Sequence, residues 1–207
     1  MSTTQSGQLI KTEVFRASYA HIFQPTNLPG QDNKYCVTML FDKQKDKAAI
    51  NALQKAAQDV VTAKWPDPAK RPTIAHPFRD GDKEMADKDG YAGMMFIKAS
   101  TKRMPPVFDE MGNPVTDPEK IYSGCYCKAL VQAYVYTKPK TGVTFSLQGI
   151  QFIKDGDPFD GRPSRETVAN HFGQEVENAD QGFASEAAEG EEAPSEVSQD
   201  QAEGMFK

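Results

Sequence analysis

The chain has 207 residues, of which 38% are hydrophobic, enough for one ordinary domain and an appendage. No apolar run approaches the ~20 residues of a membrane-spanning helix, and the three cysteines are too few for a disulfide framework. The N-terminal residues lack the basic start and apolar core of a signal peptide, so we expect an intracellular protein that does not act at a membrane.

Charge divides the chain into two parts. Residues 1–173 hold 23 Lys and Arg against 19 Asp and Glu, whereas residues 174–207 hold one basic residue against ten acidic ones. The second part is also poor in apolar residues, so it cannot bury enough surface to offset the entropy of ordering. We predict a folded body over residues 1–173 and a disordered acidic tail over residues 174–207.

Strand patterns dominate the body. Aromatic and β-branched residues, in places with strict two-residue alternation, mark five segments: 14–23, 34–41, 93–103, 125–138 and 142–154. Pro and Gly residues separate most of them, and a short PKTG turn joins the last two as a hairpin. This pattern predicts a mainly β fold, a small barrel.

One segment has the helical period instead. Ile50, Leu53, Ala57 and Val60 recur at three- and four-residue steps, which predicts a helix over residues 46–65 that Pro66 ends. A loop rich in Pro and charged residues follows over 66–90, and its length suggests a functional or mobile segment.

The Cys-x-Cys motif at 125–127 resembles part of a metal or redox site. A structural zinc site usually has four ligands in two close pairs, but Cys36 and the three histidines are isolated in this sequence. On a strand, Cys125 and Cys127 point to the same side as Ala129 and Val131, so we predict that they are small core residues.

Other chemistry-bearing patterns are weak. The acidic run from Asp80 to Asp89 lacks the glycine and glutamate of a calcium loop, because those positions hold Met85 and Tyr91. Neither a phosphate-binding glycine loop nor a catalytic spacing stands out. We therefore expect no metal, no cofactor and no enzymatic activity.

Two strands instead carry aromatic and basic residues on the face opposite their small apolar side chains. Rings stack on any unpaired base, and Lys or Arg neutralises phosphates without reading sequence. The stacking candidates are Phe96, Tyr126, Tyr134 and Tyr136. The phosphate candidates are Lys98, Lys102, Arg103, Lys128 and Lys138. Tyr35 and Arg16 are further candidates whose strand phase is uncertain. The competing interpretation is a second hydrophobic layer that the helix covers, with lysines at its edge.

The body sequence resembles the tailed-phage single-stranded DNA-binding proteins first described as a domain of unknown function. The resemblance covers residues 14–161 and rests on the order of the segments FRASYAHIFQP, KYCVTMLFDK, GMMFIKASTKR, IYSGCYCKALVQAYVYT and GVTFSLQGIQFIKDGDPFDG. It implies an oligonucleotide-binding (OB) fold, a five-stranded barrel, and sequence-tolerant binding of single strands. It also implies a place in phage DNA replication, recombination or repair in the cytoplasm of the infected bacterial host.

A disordered polyanion can occupy a basic groove when nucleic acid is absent, so we expect the tail to regulate access to DNA and to recruit replication proteins of the phage or host. The alternative is a plain solubilising tail. The resemblance supports the first interpretation, because the tails of related single-strand binders are also acidic with an aromatic residue near the end. Met205 and Phe206 would be the hydrophobic anchor, although Lys207 follows where related tails end on the aromatic residue. A second departure is that OB barrels usually carry their helix after the third strand, not the second. Either the first segment is two strands broken by a bend, or the helix is an insertion.

Three other interpretations remain open at this point. A protein-interaction module would use the aromatic face without neutralising phosphates. A recombination annealing protein would act on the same strands. A nuclease or its accessory would need clustered carboxylates that hold a metal ion. Self-association on DNA is a further expectation.

Overall fold

The computed structural model describes residues 6–26, 32–163 and 167–172. The chain divides into two units, Met1–Arg165 and Glu166–Lys207. In the second unit a helical segment over 167–172 is described. The whole predicted tail, residues 174–207, lies outside the described residues, and so does the predicted anchor, Met205 and Phe206.

The first unit contains eight strands and two helices among its described residues. The strands are β1 (Ser6–Lys11), β2 (Phe15–His21), β3 (Tyr35–Asp42), β4 (Phe78–Asp80), β5 (Met94–Thr101), β6 (Val107–Phe108), β7 (Tyr126–Tyr136) and β8 (Gly142–Lys154). The helices are α1 (Lys47–Lys64) and α2 (Gly81–Glu84), and a 3-10 turn spans Pro68–Lys70. The five predicted strands and the predicted helix are confirmed.

Strands β2, β3, β5, β8 and β7 close a barrel in that order. The β2–β3, β3–β5, β7–β8 and β2–β7 pairs are antiparallel, and the β5–β8 pair is parallel. This is the order of a five-stranded Greek-key OB barrel, so the predicted fold class is confirmed. The short strands lie outside the barrel, with β1 on β7, β4 on β5 and β6 on β8.

The position of the helix is also decided. Residues 14–23 contain one barrel strand, β2, whose pairing with β3 shifts between Ser18 and His21, with Tyr19 at a positive φ of 45°. Because this segment supplies a single barrel strand, α1 lies between the second and third strands. It is an insertion relative to the usual OB arrangement.

The core fills the barrel and continues under α1. Inward residues such as Val37, Phe145 and Val131 are fully buried, and Cys125 and Cys127 are 0% exposed among them, as predicted. The buried face of α1, including Leu53 and Val60, joins this same cluster. The buried face of α1 therefore packs against the main core, which disfavours the competing interpretation in which the helix covers the aromatic face of β7.

The 66–90 segment is largely part of the fold. Ile74 and Phe78 pack against the core, and the Phe78 ring meets Phe145 edge-on with centroids 6.2 Å apart. Ala75 forms a bridge with Gly142. The middle of the segment therefore connects β5 and β8, because Phe78 pairs with Ile97 of β5 and Ala75 with Gly142 of β8. No helix in the described part of the chain is long and apolar enough to cross a membrane.

Candidate nucleic-acid interface

The outward sides of β5, β8 and β7 form one surface. Ser100 of β5 is paired with Ser146 of β8, which is paired with Gln132 of β7. We call this the β5–β8–β7 surface, defined by Lys98, Ser100, Gln132, Tyr134, Tyr136, Thr144 and Ser146. Its β8 centre has short side chains, its β7 side has two tyrosines, and its β5 side has basic residues.

The tyrosine side is held in place by neighbouring strands. Tyr134 lies between Ser6 of β1 and Thr144 of β8, and partial burial raises the pKa of its phenol. Tyr136 is paired with Gly142, where an added Cβ would collide with the Tyr136 hydroxyl. Glycine at 142 therefore leaves the space that the Tyr136 ring occupies. Lys138 is exposed just beyond this end of β7.

The basic side is at the C-terminal half of β5. Lys98 is exposed within the strand, and Lys102 and Arg103 are exposed just after it. Lys102 makes an ion pair with Asp32 at 3.0 Å, and this contact lowers the pKa of the Asp32 carboxyl. Both side chains are mostly exposed, so the pair is weak and a phosphate group can replace the carboxylate.

Two of the remaining candidates are partly or fully covered. Phe96 is only 6% exposed, because it packs against Leu40 and Tyr91. The ring centroids of Tyr91 and Phe96 are 5.3 Å apart. The Arg79 guanidinium lies 5.2 Å from the centroid of the Phe96 ring. As the structure places it, Phe96 offers no open face for a base. Tyr35 is half-buried at the start of β3, opposite Thr101.

Arg16, Tyr126 and Lys128 form a separate group toward the start of β7. Arg16 donates to the carbonyls of Gly124 at 3.2 Å and of Asp157 at 2.8 Å. Its guanidinium also lies 4.4 Å from the Phe159 ring centroid, so it ties the segment after β8 to the barrel.

Within this group, Tyr126 makes a cation–π contact, in which the Lys154 ammonium lies 4.6 Å from the centroid of the Tyr126 ring. Lys128 is half-buried opposite Gln151 of β8. These positions lie near the start of β7, whereas Tyr134 and Tyr136 lie near its end.

Sequence reasoning missed the residues of β8 that complete the surface. Val143, Phe145 and Leu147 are buried, and Thr144, Ser146 and Gln148 alternate with them on the outside. The alternation is visible in the sequence, but short side chains carry no signal of binding. They belong to the surface because β8 lies between the lysines of β5 and the tyrosines of β7.

The acidic run at 80–89 has a structural use in its first half. The Lys43 ammonium contacts Asp80 and, at 2.8 Å, Asp82, and it lowers the pKa of both carboxyls. Asp82 also accepts the Gly93 N–H at 2.7 Å. In the described part of the chain, no group of three His, Cys, Asp or Glu side chains could hold a metal ion.

The strand order is that of an OB barrel, and three neighbouring strands carry tyrosines, lysines and short polar side chains on their outward side. Both features are typical of the class of oligonucleotide-binding barrel proteins. Within that class, the family model described as Enterobacter phage Enc34, ssDNA-binding protein, matches residues 8–183. The chain belongs to this family.

Individual proteins are also similar to this chain. Protein p50 of Acyrthosiphon pisum secondary endosymbiont phage 1 is 34% identical over 162 residues, which are 73% of this chain and 86% of that protein. The single-stranded DNA-binding protein from bacteriophage Enc34, solved in complex with ssDNA, has a TM-score of 0.66 at 24% identity, covering 73% of this chain and 89% of its own. Gp2.5, a single-stranded DNA-binding protein encoded by bacteriophage T7, has a TM-score of 0.51 at 15% identity, covering 72% of this chain and 93% of its own. These two structures share the fold.

Proposed function

We propose that this chain is a sequence-tolerant single-stranded DNA-binding protein and that the β5–β8–β7 surface is the centre of its DNA path. The observation that carries the proposal is the continuity of that surface, on which β8 joins the basic side of β5 to the tyrosine side of β7. Membership in a family described as ssDNA-binding supports the same conclusion.

The chemistry follows from the residue types. Bases stack on Tyr134 and Tyr136, whose rings accept any base because every base has a π-face. Lys98, Lys102 and Lys138 neutralise phosphates on both sides of the short β8 side chains, and Arg103 extends the basic side. Duplex DNA hides the faces of its bases, so the tyrosines favour single strands. Stacking and phosphate contacts do not read base edges, which makes binding tolerant of sequence.

Tyr126 and Lys128 extend the path along β7. Arg16 is a positioning residue in this scheme, because its donors already bind two backbone carbonyls. Phe96 is left out of the stacking set because it is covered. The ion pair between Lys102 and Asp32 opens when a phosphate takes the lysine.

In the cell we expect the protein to coat and protect unpaired strands during phage DNA replication, recombination or repair, in the cytoplasm of the infected host. It acts by binding and not as an enzyme. The acidic segment 174–207 competes with DNA for the basic surface and recruits replication proteins through Met205 and Phe206. Neighbouring molecules on one strand associate with each other.

The test is a fluorescence-anisotropy titration of labelled oligo-dT and of a matched duplex at several salt concentrations. Full-length protein and a version that ends at Gly173 are compared. We expect oligo-dT to bind more tightly than the duplex. The truncated form should bind oligo-dT more tightly than the full chain does. The affinity of each form for oligo-dT should fall as the salt concentration rises. The proposal is refuted if neither form binds oligo-dT at low salt.

The same titration separates the other functions. Binding without salt dependence would favour a protein-interaction module, because such a module neutralises no phosphates. Degradation of the oligonucleotide only with Mg²⁺ or Mn²⁺ would favour a nuclease. Accelerated pairing of complementary strands would identify an annealing activity in addition to binding.

A further inference from the structure

A cleft of about 760 Å³ lies beside the outward side of β2. Four segments line it, within residues 18–20, 87–91, 118–123 and 158–163. None of these segments contributes to the β5–β8–β7 surface. The volume falls in the ~300–1,000 Å³ range of ligand sites, so the cleft is large enough to hold several side chains of a bound segment.

The walls of the cleft are held by buried contacts. Tyr91 is 2% exposed and donates its hydroxyl hydrogen to Ser18 at 3.0 Å. The Tyr122 hydroxyl donates to the Asp155 carboxylate at 2.8 Å and accepts the Gly156 N–H at 3.1 Å. Because these aromatic side chains are fixed before anything binds, little ordering is needed to occupy the cleft.

Tyr19 stands out among the lining residues. It is 47% exposed and has a φ of 45°, in the left-handed region that side chains other than glycine rarely adopt. The pairing of β2 with β3 shifts at this point, between Ser18 and His21. A large exposed ring on an unfavourable backbone conformation indicates that the ring is used for contact.

The charge around the cleft selects the occupant. Asp87 and Asp89 are exposed, and neither has an ion-pair partner among the described residues, while Asp160 is paired with Arg162 at 2.7 Å. Lys88 is the remaining basic residue of the lining. Unpaired carboxylates repel phosphates, and they equally repel the acidic segment 174–207 of the chain itself. They attract a cationic partner.

We propose that this cleft binds an extended, basic peptide segment of a partner protein. An aromatic or aliphatic side chain of the peptide packs against Tyr19 and the aromatic wall, and Lys or Arg side chains beside it pair with Asp87 and Asp89. Because the cleft shares no residue with the β5–β8–β7 surface, the protein can hold this partner while it covers DNA.

The test uses ¹⁵N-labelled full-length protein and NMR titrations with three probes. They are acetyl-Arg-Trp-Arg-amide, the charge-reversed acetyl-Glu-Trp-Glu-amide, and oligo-dT. We expect the Arg peptide to shift the backbone amide signals of Tyr19, Asp89 and Ser123 in a saturable way. The Glu peptide leaves those signals in place, and oligo-dT shifts the signals of the β5–β8–β7 surface instead.

Two variants sharpen the result. Asp87→Asn combined with Asp89→Asn should weaken the Arg peptide about fivefold, as the loss of two exposed ion pairs would give. Tyr19→Gly should also weaken it while the protein stays folded, because glycine adopts this φ without strain. Both variants should keep their affinity for oligo-dT, which separates failure of the cleft proposal from failure of the DNA-binding proposal.

Three outcomes would overturn the proposal. One is equal shifts with the Glu peptide, which would remove the role of charge. Another is unchanged affinity of the Arg peptide for the Asp87→Asn, Asp89→Asn variant. The third is movement of the Tyr19 and Ser123 signals by oligo-dT, which would make the cleft part of the DNA path.

Discussion

Replacing Tyr134 and Tyr136 together by alanine removes both rings from the tyrosine side of the β5–β8–β7 surface. Base stacking on an aromatic side chain contributes ~1–3 kcal/mol per base. Tyr134 is half-buried between β1 and β8, and Tyr136 occupies the space at Gly142, so each ring has only one open face. We therefore take the lower limit for each ring, a total of ~2 kcal/mol, which corresponds to roughly 30-fold weaker binding of oligo-dT.

The effect on stability should be much smaller than the effect on binding. Neither ring belongs to the main hydrophobic cluster, so truncation leaves no closed cavity in the core. We expect the melting temperature to fall by only a few degrees, as for substitutions at partly exposed sites. Fluorescence anisotropy at one fixed ionic strength and a thermal melt of the same sample give both numbers.

Tyr19→Ala is the matched control, because Tyr19 is an exposed tyrosine on the same barrel but outside the DNA path proposed above. It should leave the affinity for oligo-dT unchanged. The reasoning is refuted if the control loses as much affinity as the double variant, or if the double variant binds oligo-dT normally. A collapse of the melting temperature in the double variant would instead place the two rings in the core.

Three further predictions address charge, pH and packing. Lys98→Gln combined with Lys128→Gln should make the slope of log affinity against log salt shallower by about 1.4, because each single-strand phosphate contact contributes about 0.7; an unchanged slope would remove both from the path. Burial raises the pKa of Tyr122 to about 12. The neutral Tyr122 hydroxyl therefore contributes fully to the free energy of unfolding below pH 10, and this contribution is lost as the pH rises through 12. In denaturant melts, the unfolding free energies of wild type and Tyr122→Phe should converge as the pH approaches 12. Leu53→Ala should cost ~2–5 kcal/mol of unfolding free energy without changing the affinity of the folded protein for oligo-dT; a loss below that range in urea melts would place Leu53 outside the core.

Local patterns in the sequence were enough to find the five barrel strands and the long helix α1, but not the short elements β1, β4, β6 and α2. The two-residue alternation of β5, β7 and β8 and the helical spacing of Ile50, Leu53 and Val60 report which side of each element is apolar, and burial follows from that pattern. The same alternation placed Cys125 and Cys127 in the core, against the metal site that their spacing suggested.

Composition and chain order supplied two further conclusions. The clustering of acidic residues after 173 predicts a tail distinct from the basic body, and this prediction needs no structural information. The order of the strand segments was sufficient for the family resemblance, which the match over residues 8–183 confirms. The charge distribution and the order of the segments are both properties of the amino-acid sequence, so neither depends on knowing the tertiary structure.

The tertiary structure decided which outward residues share a surface and which are covered. Alternation gives Phe96 and Tyr134 the same outward phase, but Phe96 is covered by Tyr91, which comes from a loop before β5, while Tyr134 stays at the surface. Strand order placed β8 between β5 and β7, so the lysines and tyrosines belong to one surface. The cleft beside Tyr19 is formed by segments up to 145 residues apart, counted from positions 18 and 163. Contacts between distant segments depend on how strands pair and loops pack, and periodicity along the chain contains no information about either.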